Sequence, residues 1–280
     1  MSASTGTVTE IARAKINLTL HVGRAIPDGR FKGYHPVDSL VVFADFGDRL
    51  VFTPAEEPYF EITGPFGNRL ETNSDNLVSR ALRASGATSQ SVQLEKNIPI
   101  SAGLGGGSAN AAAVLRCFDL DGRIEGAPLG ADVPVCRLSQ TTLMQGIGEK
   151  ITVLPNLGQL SAVLVNPLVP VSTAAIFTAF DSEAREELPR QNSGEGSLLQ
   201  RALDGQNDLQ HIAGELVPDI KSVINAIEQQ QGCRLARMSG SGASCFGLFK
   251  SDDAAVAAAD IIKNTHPEWW VRPCRLGDAP

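Results

Sequence analysis

The sequence predicts an α+β fold with two lobes, residues 1–155 and 156–280. Apolar residues at every second position over 16–22 indicate a strand in the first lobe, where a glycine-rich loop also precedes an alanine-rich helix. In the second part, one buried strand is followed by two helical patterns and three further strands. This change of pattern near Asn156 predicts the lobe boundary.

The first predicted element is a half-buried strand over 16–22. Its two-residue period places Lys15 and Asn17 on the same face. Two apolar runs, 40–43 and 50–52, are separated by a short segment with the sequence Phe-Gly-Asp-Arg. Because a glycine-containing segment between two apolar runs is typical of a turn, this pattern predicts a hairpin.

The remainder of the first lobe is predicted to contain two helices and further strands. Ser74 or Asp75 suits the N-cap of a helix that runs through Ala84, because short oxygen-bearing side chains accept the first backbone N–H groups. Val92 and Leu94 mark a strand that leads into the glycine-rich loop. The second helix follows that loop, and a strand–turn region ends the lobe near residue 155.

In the second lobe, two helices are expected among the strands. Four apolar residues share one face of the first helix, and Gly232 supplies its stop signal; these residues are Ile220, Val223, Ile224 and Ile227. The polar stretch 182–200 is predicted to be a flexible surface segment. The other predicted elements are strands over 160–165, 234–238, 244–249 and 269–276, and a helix from Asp252 to about Asn264.

The most informative stretch is PISAGLGGGSANAAAVLR, residues 99–116, with glycine at 103, 105, 106 and 107. Glycine lets a backbone approach a ligand closely, and the helix that follows offers free N–H groups and a positive dipole end. This combination predicts an anion site, most commonly for phosphate. It is neither a Walker A loop nor a good dinucleotide fingerprint, and a glycine turn packed between strand and helix is the alternative.

Composition excludes several classes of protein. The chain has 280 residues, of which 42% are hydrophobic and 20% charged, which predicts a folded core rather than disorder. Its net charge of −7 argues against nonspecific nucleic-acid binding by a basic surface. The five scattered cysteines contain no C-x-x-C pair, and neither a secretory signal nor a membrane span is expected. We therefore expect a cytoplasmic protein with reduced thiols.

Several motifs carry a resemblance to a known family. They are ARAKINLTLHV, GYHPVDSL, PISAGLGGGS, LGADVPV and MSGSGASCFGLF, spread in that order from Ala12 to Phe249. The chain resembles the superfamily of galactokinase, homoserine kinase, mevalonate kinase and phosphomevalonate kinase, the GHMP kinases. The resemblance implies an N-terminal lobe like domain 2 of ribosomal protein S5 and a ferredoxin-like C-terminal lobe.

The resemblance also implies an activity and its small molecules. It points to the branch that transfers the γ-phosphate of ATP, with Mg²⁺, to the 2-hydroxyl of a cytidine-diphosphate-linked methylerythritol in non-mevalonate isoprenoid-precursor synthesis. Another small-molecule kinase of the superfamily is the alternative, followed by a non-catalytic nucleotide sensor on the same fold. The expected assembly is a monomer or weak homodimer, with no nucleic-acid or membrane partner.

Asp132 and Lys15 are the candidate catalytic residues. From the residues alone, Asp132 is equally well a helix N-cap or a general base, and Lys15 is more simply a solvated lysine. The resemblance implies that Asp132 accepts the proton of the substrate hydroxyl. It also implies that Lys15 stands beside this carboxylate, keeps it ionised and stabilises charge on the attacking oxygen.

The nucleotide and its metal are implied to contact the glycine-rich loop and two residues outside it. Ser108 either caps the alanine-rich helix or, as the resemblance implies, ligates Mg²⁺ bridging the β- and γ-phosphates. The candidate ATP-binding residues are Asn76, Lys96, Pro99, Ala102, Gly103, Leu104, Gly105, Gly106, Gly107, Ser108 and Ala109.

A second group of residues is implied to bind the cytidine substrate. Tyr34 and Phe177 would stack on the cytosine ring, His35 would read its edge, and core packing is the alternative for Phe177. The candidate substrate-binding residues are Asn17, Tyr34, His35, Thr173 and Phe177. The turn of Gly240, Ser241 and Gly242 would bring its backbone close to the glycine-rich loop.

Two segments depart from the family pattern. Residues 30–33 look inserted before Tyr34, which lengthens the substrate loop. The stretch between Ala113 and Gly130 looks short by roughly two to three helical turns, and residues 117–122 are expected to end the helix early. Both departures bear on how Tyr34 and Asp132 are supported.

Overall fold

The computed structural model describes residues 6–154, 158–182 and 196–278. The strands are β1 (Val8–Asn17), β2 (His21–Val22), β3 (Val37–Pro54), β4 (Phe60–Thr63), β5 (Gln90–Glu95), β6 (Thr142–Gly146), β7 (Lys150–Val153), β8 (Gln159–Asn166), β9 (Cys233–Met238), β10 (Cys245–Phe249) and β11 (Trp270–Gly277). The helices are α1 (Leu77–Ser85), α2 (Gly106–Phe118), α3 (Val133–Leu138), α4 (Thr173–Asp181), α5 (Leu198–Asp204), α6 (Gln210–Leu216), α7 (Asp219–Glu228) and α8 (Asp252–Thr265). This mixture confirms the predicted α+β class.

The chain divides into two compact units, which do not coincide with simple halves of the sequence. The first unit holds the described residues of Met1–Ala14, Phe46–Ile100 and Gly105–Leu138. The second unit holds those of Lys15–Asp45, Ser101–Leu104 and Ser139–Pro280. The boundary predicted between residues 155 and 156 falls outside the described residues and stays a prediction.

In the first unit, β5 lies between β4 and β3 in the sheet. It pairs antiparallel with the second half of β3 and parallel with β4. The rings of Phe52 on β3 and Phe118 on α2 meet edge to face at 5.2 Å. This contact anchors the C-terminal end of α2 on the sheet.

In the second unit, β8 pairs antiparallel with both β10 and β11, and β10 pairs with β9. The first half of β3 pairs with β6 and with β2. The helices α4, α6, α7 and α8 contribute to one apolar core together with Val163 and Val165 of β8. All four apolar residues predicted on one helical face are buried in α7, which confirms that element.

The predicted hairpin over 40–52 is wrong, because β3 is a single strand of 18 residues. Gly47 does not turn the chain. A Cβ at residue 47 would lie 2.1 Å from the carbonyl oxygen of Ala12, so the glycine allows two backbones to approach closely. Asp48 next to it is fully buried rather than exposed in a loop.

The half-buried strand predicted over 16–22 also differs from the structure. The strand β1 ends at Asn17, and β2 covers only His21 and Val22. Both faces are buried, since Ile16 is 0% exposed and Lys15 is 4% exposed. The alternation of apolar and polar residues therefore belongs to a segment whose polar face is buried rather than exposed to solvent.

Smaller differences concern the ends of helices. The N-cap of α1 is Asn76, not Ser74 or Asp75. In the polar stretch 182–200, residues 183–195 lie outside the described residues, and α5 begins within the stretch at Leu198. The early end of α2 after Phe118 is confirmed. The other predicted strands and the helix from Asp252 are confirmed within two residues at their ends.

Within the described ranges, no helix combines the length and the apolar character needed to cross a membrane. The five cysteines all lie in these ranges, and none of them forms a disulfide.

Candidate active site

The beginning of α2 has the backbone features of an anion-binding site. Its N-cap is Gly105, at φ +63°, and no side chain caps the helix. The first turn contains no acidic residue. The first N–H groups of a helix have no intrahelical acceptor, and they coincide with the positive end of the dipole. The residues present therefore fit a phosphate group at this position.

The earlier part of the glycine-rich loop is held by backbone contacts within the second unit. A Cβ at Gly103 would lie 2.4 Å from the carbonyl oxygen of Ser239, and one at Gly240 would lie 3.0 Å from that of Gly103. Ser239 Oγ donates to the same Gly103 oxygen at 3.1 Å. The structure thus brings the 239–242 turn against Gly103, and the absence of side chains at residues 103 and 240 serves this close approach.

Ser108 lies in the first turn of α2, beside the segment that leads to Asp132. A Cβ at Gly130 would be 3.4 Å from Ser108 Oγ. The carbonyl of Asp132 accepts the N–H of Cys136 at 3.0 Å, so this residue stands at the start of α3 with its side chain partly exposed. Among the described residues, no three His, Cys, Asp or Glu side chains form a group that could hold a metal.

Lys15 and Asn17 are buried in the second unit, 4% and 1% exposed. Ser39 Oγ donates to the carbonyl of Thr19 at 2.6 Å, so it must accept from Asn17 Nδ2 at 2.8 Å. This pair fixes the orientation of the Asn17 amide. Its Oδ1 is buried, has no hydrogen-bond partner among the described residues, and lies beside Gly240. An unsatisfied buried acceptor is costly, so this oxygen has the capacity to accept a hydrogen bond from a water or a bound molecule.

Two predicted ATP-binding side chains are engaged elsewhere in the first unit. Asn76 Oδ1 accepts the N–H of Val78 at 3.0 Å, and its Nδ2 donates to the carbonyl of Glu71 at 2.8 Å. The Lys96 ammonium forms a buried ion pair with Asp48. Both side chains therefore hold segments of the first unit together, and a direct contact of either with ATP stays a prediction.

The predicted cytidine-binding residues all belong to the second unit, and two of them, His35 and Phe177, are in ring contact. The rings of His35 and Phe177 are 4.7 Å apart and tilted by 37°. His35 Nε2 lies 2.7 Å from Asp181 Oδ1 at the end of α4. Tyr34 is 55% exposed, and its ring lies edge to face with that of Phe31, with the two centroids 6.4 Å apart. The pair of an oriented imidazole and an aromatic ring is suited to a flat, polar-edged ligand, and the exposed Tyr34 ring is adjacent to it in sequence.

Thr173 is attached to the 239–242 turn. Its Oγ1 lies 2.8 Å from Ser241 Oγ, which links the start of α4 to that turn. Asn207, which sequence reasoning missed, donates to the carbonyls of Met238 and Gly240, each at 2.8 Å. Asp181 was missed as well, because nothing local connects it to a histidine 146 positions earlier.

Comparison with known proteins assigns the family. Residues 76–139 match the profile of the GHMP kinases N terminal domain, and residues 184–268 match that of the GHMP kinases C terminal. The chain belongs to the GHMP kinase family. Its α+β fold and its class of enzyme, a phosphotransferase, follow from this membership.

Individual GHMP kinases resemble this one over nearly their full length. The 4-diphosphocytidyl-2-C-methyl-D-erythritol kinase of Dinoroseobacter shibae is 44% identical, over 96% of this chain and 95% of the relative. A kinase of the same name from Cereibacter sphaeroides is 45% identical over 95% and 98%. A crystal structure of a 4-(cytidine 5′-diphospho)-2C-methyl-D-erythritol kinase superposes with a TM-score of 0.78 at 31% identity, covering 97% of this chain and 100% of that one.

Proposed function

We propose that this GHMP kinase transfers the γ-phosphoryl group of ATP to the 2-hydroxyl of 4-(cytidine 5′-diphospho)-2-C-methyl-D-erythritol. Full-length similarity to relatives of that name supports the acceptor. The observation that carries the phosphate donor is the glycine N-cap of α2, with no capping side chain and no acid in the first turn. A cytoplasmic location, and a monomer or weak homodimer, belong to the same proposal.

In the proposed reaction, the substrate 2-hydroxyl oxygen forms a bond to the γ-phosphorus while the bond from that phosphorus to the ADP oxygen breaks. The Asp132 carboxylate accepts the hydroxyl proton. Lys15 stabilises negative charge on the attacking oxygen. Such a transfer needs positioning and charge compensation more than covalent participation by the protein.

Substrate recognition is proposed to use the residues of the second unit. Tyr34 and Phe177 stack on the cytosine, while His35, oriented by Asp181, contacts its edge. Asn17 Oδ1 accepts a hydrogen bond from a substrate hydroxyl, which would satisfy the buried oxygen that has no partner in the described protein. Thr173 holds the start of α4 against the 239–242 turn through its hydrogen bond with Ser241.

Mg²⁺ is proposed to bind through the phosphates of ATP and the Ser108 hydroxyl, where it would neutralise charge on the β- and γ-phosphates. A hydroxyl at the start of α2 fits such an ion, which prefers oxygen ligands and retains waters. No cluster of acidic side chains in the described residues offers an alternative cage.

A coupled assay of ADP release tests the proposal. The enzyme is offered the cytidine-linked methylerythritol, mevalonate, homoserine and galactose at equal concentration. We expect turnover with the cytidine compound to exceed the others by at least about a hundredfold in kcat/KM, from loss of base stacking in the competitors. Preferential turnover of another alcohol would make this chain a different GHMP kinase. ATP binding without turnover of any alcohol would favour the nucleotide sensor.

A further inference from the structure

Asp48 is a fully buried carboxylate that the proposed reaction does not use. Its Oδ1 accepts the backbone N–H groups of Asn97 at 2.7 Å and Ile98 at 2.8 Å. Its Oδ2 accepts from the Lys96 ammonium and from Asn110 Nδ2, the latter at 2.9 Å. Four donors satisfy both oxygens, two of them from the backbone.

These donors stand at both ends of the glycine-rich loop. Asn97 and Ile98 immediately precede Pro99, the first loop residue, whereas Asn110 lies on α2 beyond the loop. One carboxylate therefore joins the chain that enters the loop to the helix that leaves it. The Lys96 ammonium lies at this junction too, because a Cβ at Gly106 would be only 2.9 Å from Nζ.

The position of the ammonium has an electrostatic consequence. It lies against the first residue of α2, where the helix dipole is positive and a cation is unfavourable. Burial lowers the pKa of Lys96, and the charge and hydrogen bond of Asp48 oppose that shift. Without Asp48, the ammonium and two backbone N–H groups would be buried without their acceptor, and the two ends of the loop would lose their common attachment.

We propose that Asp48 is a positioning residue for ATP: it fixes the spacing between the two ends of the glycine-rich loop and so holds the N–H groups of α2 where they meet the triphosphate. The inference rests on the proposed use of this loop for ATP. It does not depend on which alcohol accepts the phosphoryl group. Asp48 acts through Lys96, Asn110 and the backbone, since its own oxygens are fully occupied.

The test compares two buried carboxylates near opposite ends of α2. Asp48 of β3 contacts the helix near its beginning, and Asp119 follows its last residue. Asp119 accepts the N–H groups of Arg123 at 3.0 Å and Ile124 at 2.9 Å, together with Arg137 at 2.8 Å. We expect Asp48→Asn to raise the Kd for ATP, measured by calorimetry, by at least about tenfold. Its Kd for the cytidine substrate should change less than about twofold. Asp119→Asn should lower Tm similarly but leave the ATP Kd within about twofold.

Asn110→Ala provides a milder variant if Asp48→Asn does not fold. It removes one of the four donors and should raise the ATP Kd about three- to tenfold. An unchanged ATP Kd in either folded variant would overturn the inference. An equal rise in the ATP Kd of Asp119→Asn would also overturn it, because Asp48 would then affect ATP binding only through the general stability of the protein. Failure of the proposed function is separate: it would appear in the wild-type protein, as absent ATP binding or a different preferred alcohol.

Discussion

Phe177 and Phe180 are two aromatic residues on α4 for which the structure predicts opposite consequences of truncation. Phe180 is 0% exposed and Ile176 is 1% exposed, so these two residues form the core face of the helix. Phe177 is only partly buried at the edge of that core, and its ring faces His35 at 4.7 Å. We therefore expect the Phe177 ring to serve stacking more than stability.

The expected magnitudes separate the two roles. Phe177→Ala should lose the roughly 1–3 kcal/mol that stacking on a base supplies, which raises KM for the cytidine substrate roughly ten- to a hundredfold. Its cost in stability should stay near 1 kcal/mol because only part of the ring is buried. Phe180→Ala should instead cost about 3–5 kcal/mol of the free energy of unfolding, or about 5–9 °C in Tm for a chain of 280 residues.

Both quantities are measured on the same preparations, by steady-state kinetics with each substrate varied and by thermal unfolding. Phe177→Ala should leave KM for ATP unchanged, and Tyr34→Ala should reproduce its effect on the cytidine substrate. If Phe177→Ala lowered Tm as much as Phe180→Ala and left KM unchanged, Phe177 would be a core residue and the stacking argument would fail.

Two further variants address the phosphate side of the site, and a third addresses the pH dependence of stability at the far end of α2. Asp132→Asn should lower kcat at least about a hundredfold with ATP affinity retained. Near-normal turnover in this variant would mean that Asp132 has only a structural role at the start of α3. Gly106→Val should abolish ATP binding in calorimetry, because the new side chain would meet Lys96 Nζ and Ile98 rather than solvent, and an unchanged Kd would contradict this. For Asp119, burial works to raise the pKa, but bonds from the Ile124 N–H and Arg137 hold it below its ordinary value. The stability advantage of wild type over Asp119→Asn should therefore be complete well above the unfolded pKa of about 3.9 and disappear as pH falls through the lower folded pKa, in urea titrations at several pH values. An advantage independent of pH would show that the carboxylate charge does not matter.

Elements with a strong local pattern were predictable from the sequence. The helix α7, the strand β8 and the glycine-rich start of α2 have apolar periods or breakers that do not depend on distant neighbours. The helix α5 was missed because its seven residues follow a polar stretch, and Ser197 caps it without any longer apolar pattern.

The failures share a different cause, which is contact between residues far apart in the chain. Gly47 was interpreted as a turn because its sequence neighbours suit one, but the carbonyl of Ala12 explains the glycine. Similarly, the sequence around Lys96 did not reveal its buried partner Asp48, 48 positions earlier. Sequence reasoning names the residue types of the candidate site, whereas the side chains that orient them come from tertiary packing.

The row formed by Lys15, Asn17, Thr19 and His21 shows what the period of a strand does and does not determine. Alternation with apolar residues predicts two faces, and a polar face is usually solvated. Here all four polar residues are 4% exposed or less. Burying polar groups is unfavourable unless each finds a partner, so a fully buried polar face is retained only where something compensates it. For Asn17 Nδ2 that partner is Ser39. For its Oδ1 the described protein supplies none, and this oxygen is the acceptor that the proposed hydrogen bond from a substrate hydroxyl would satisfy.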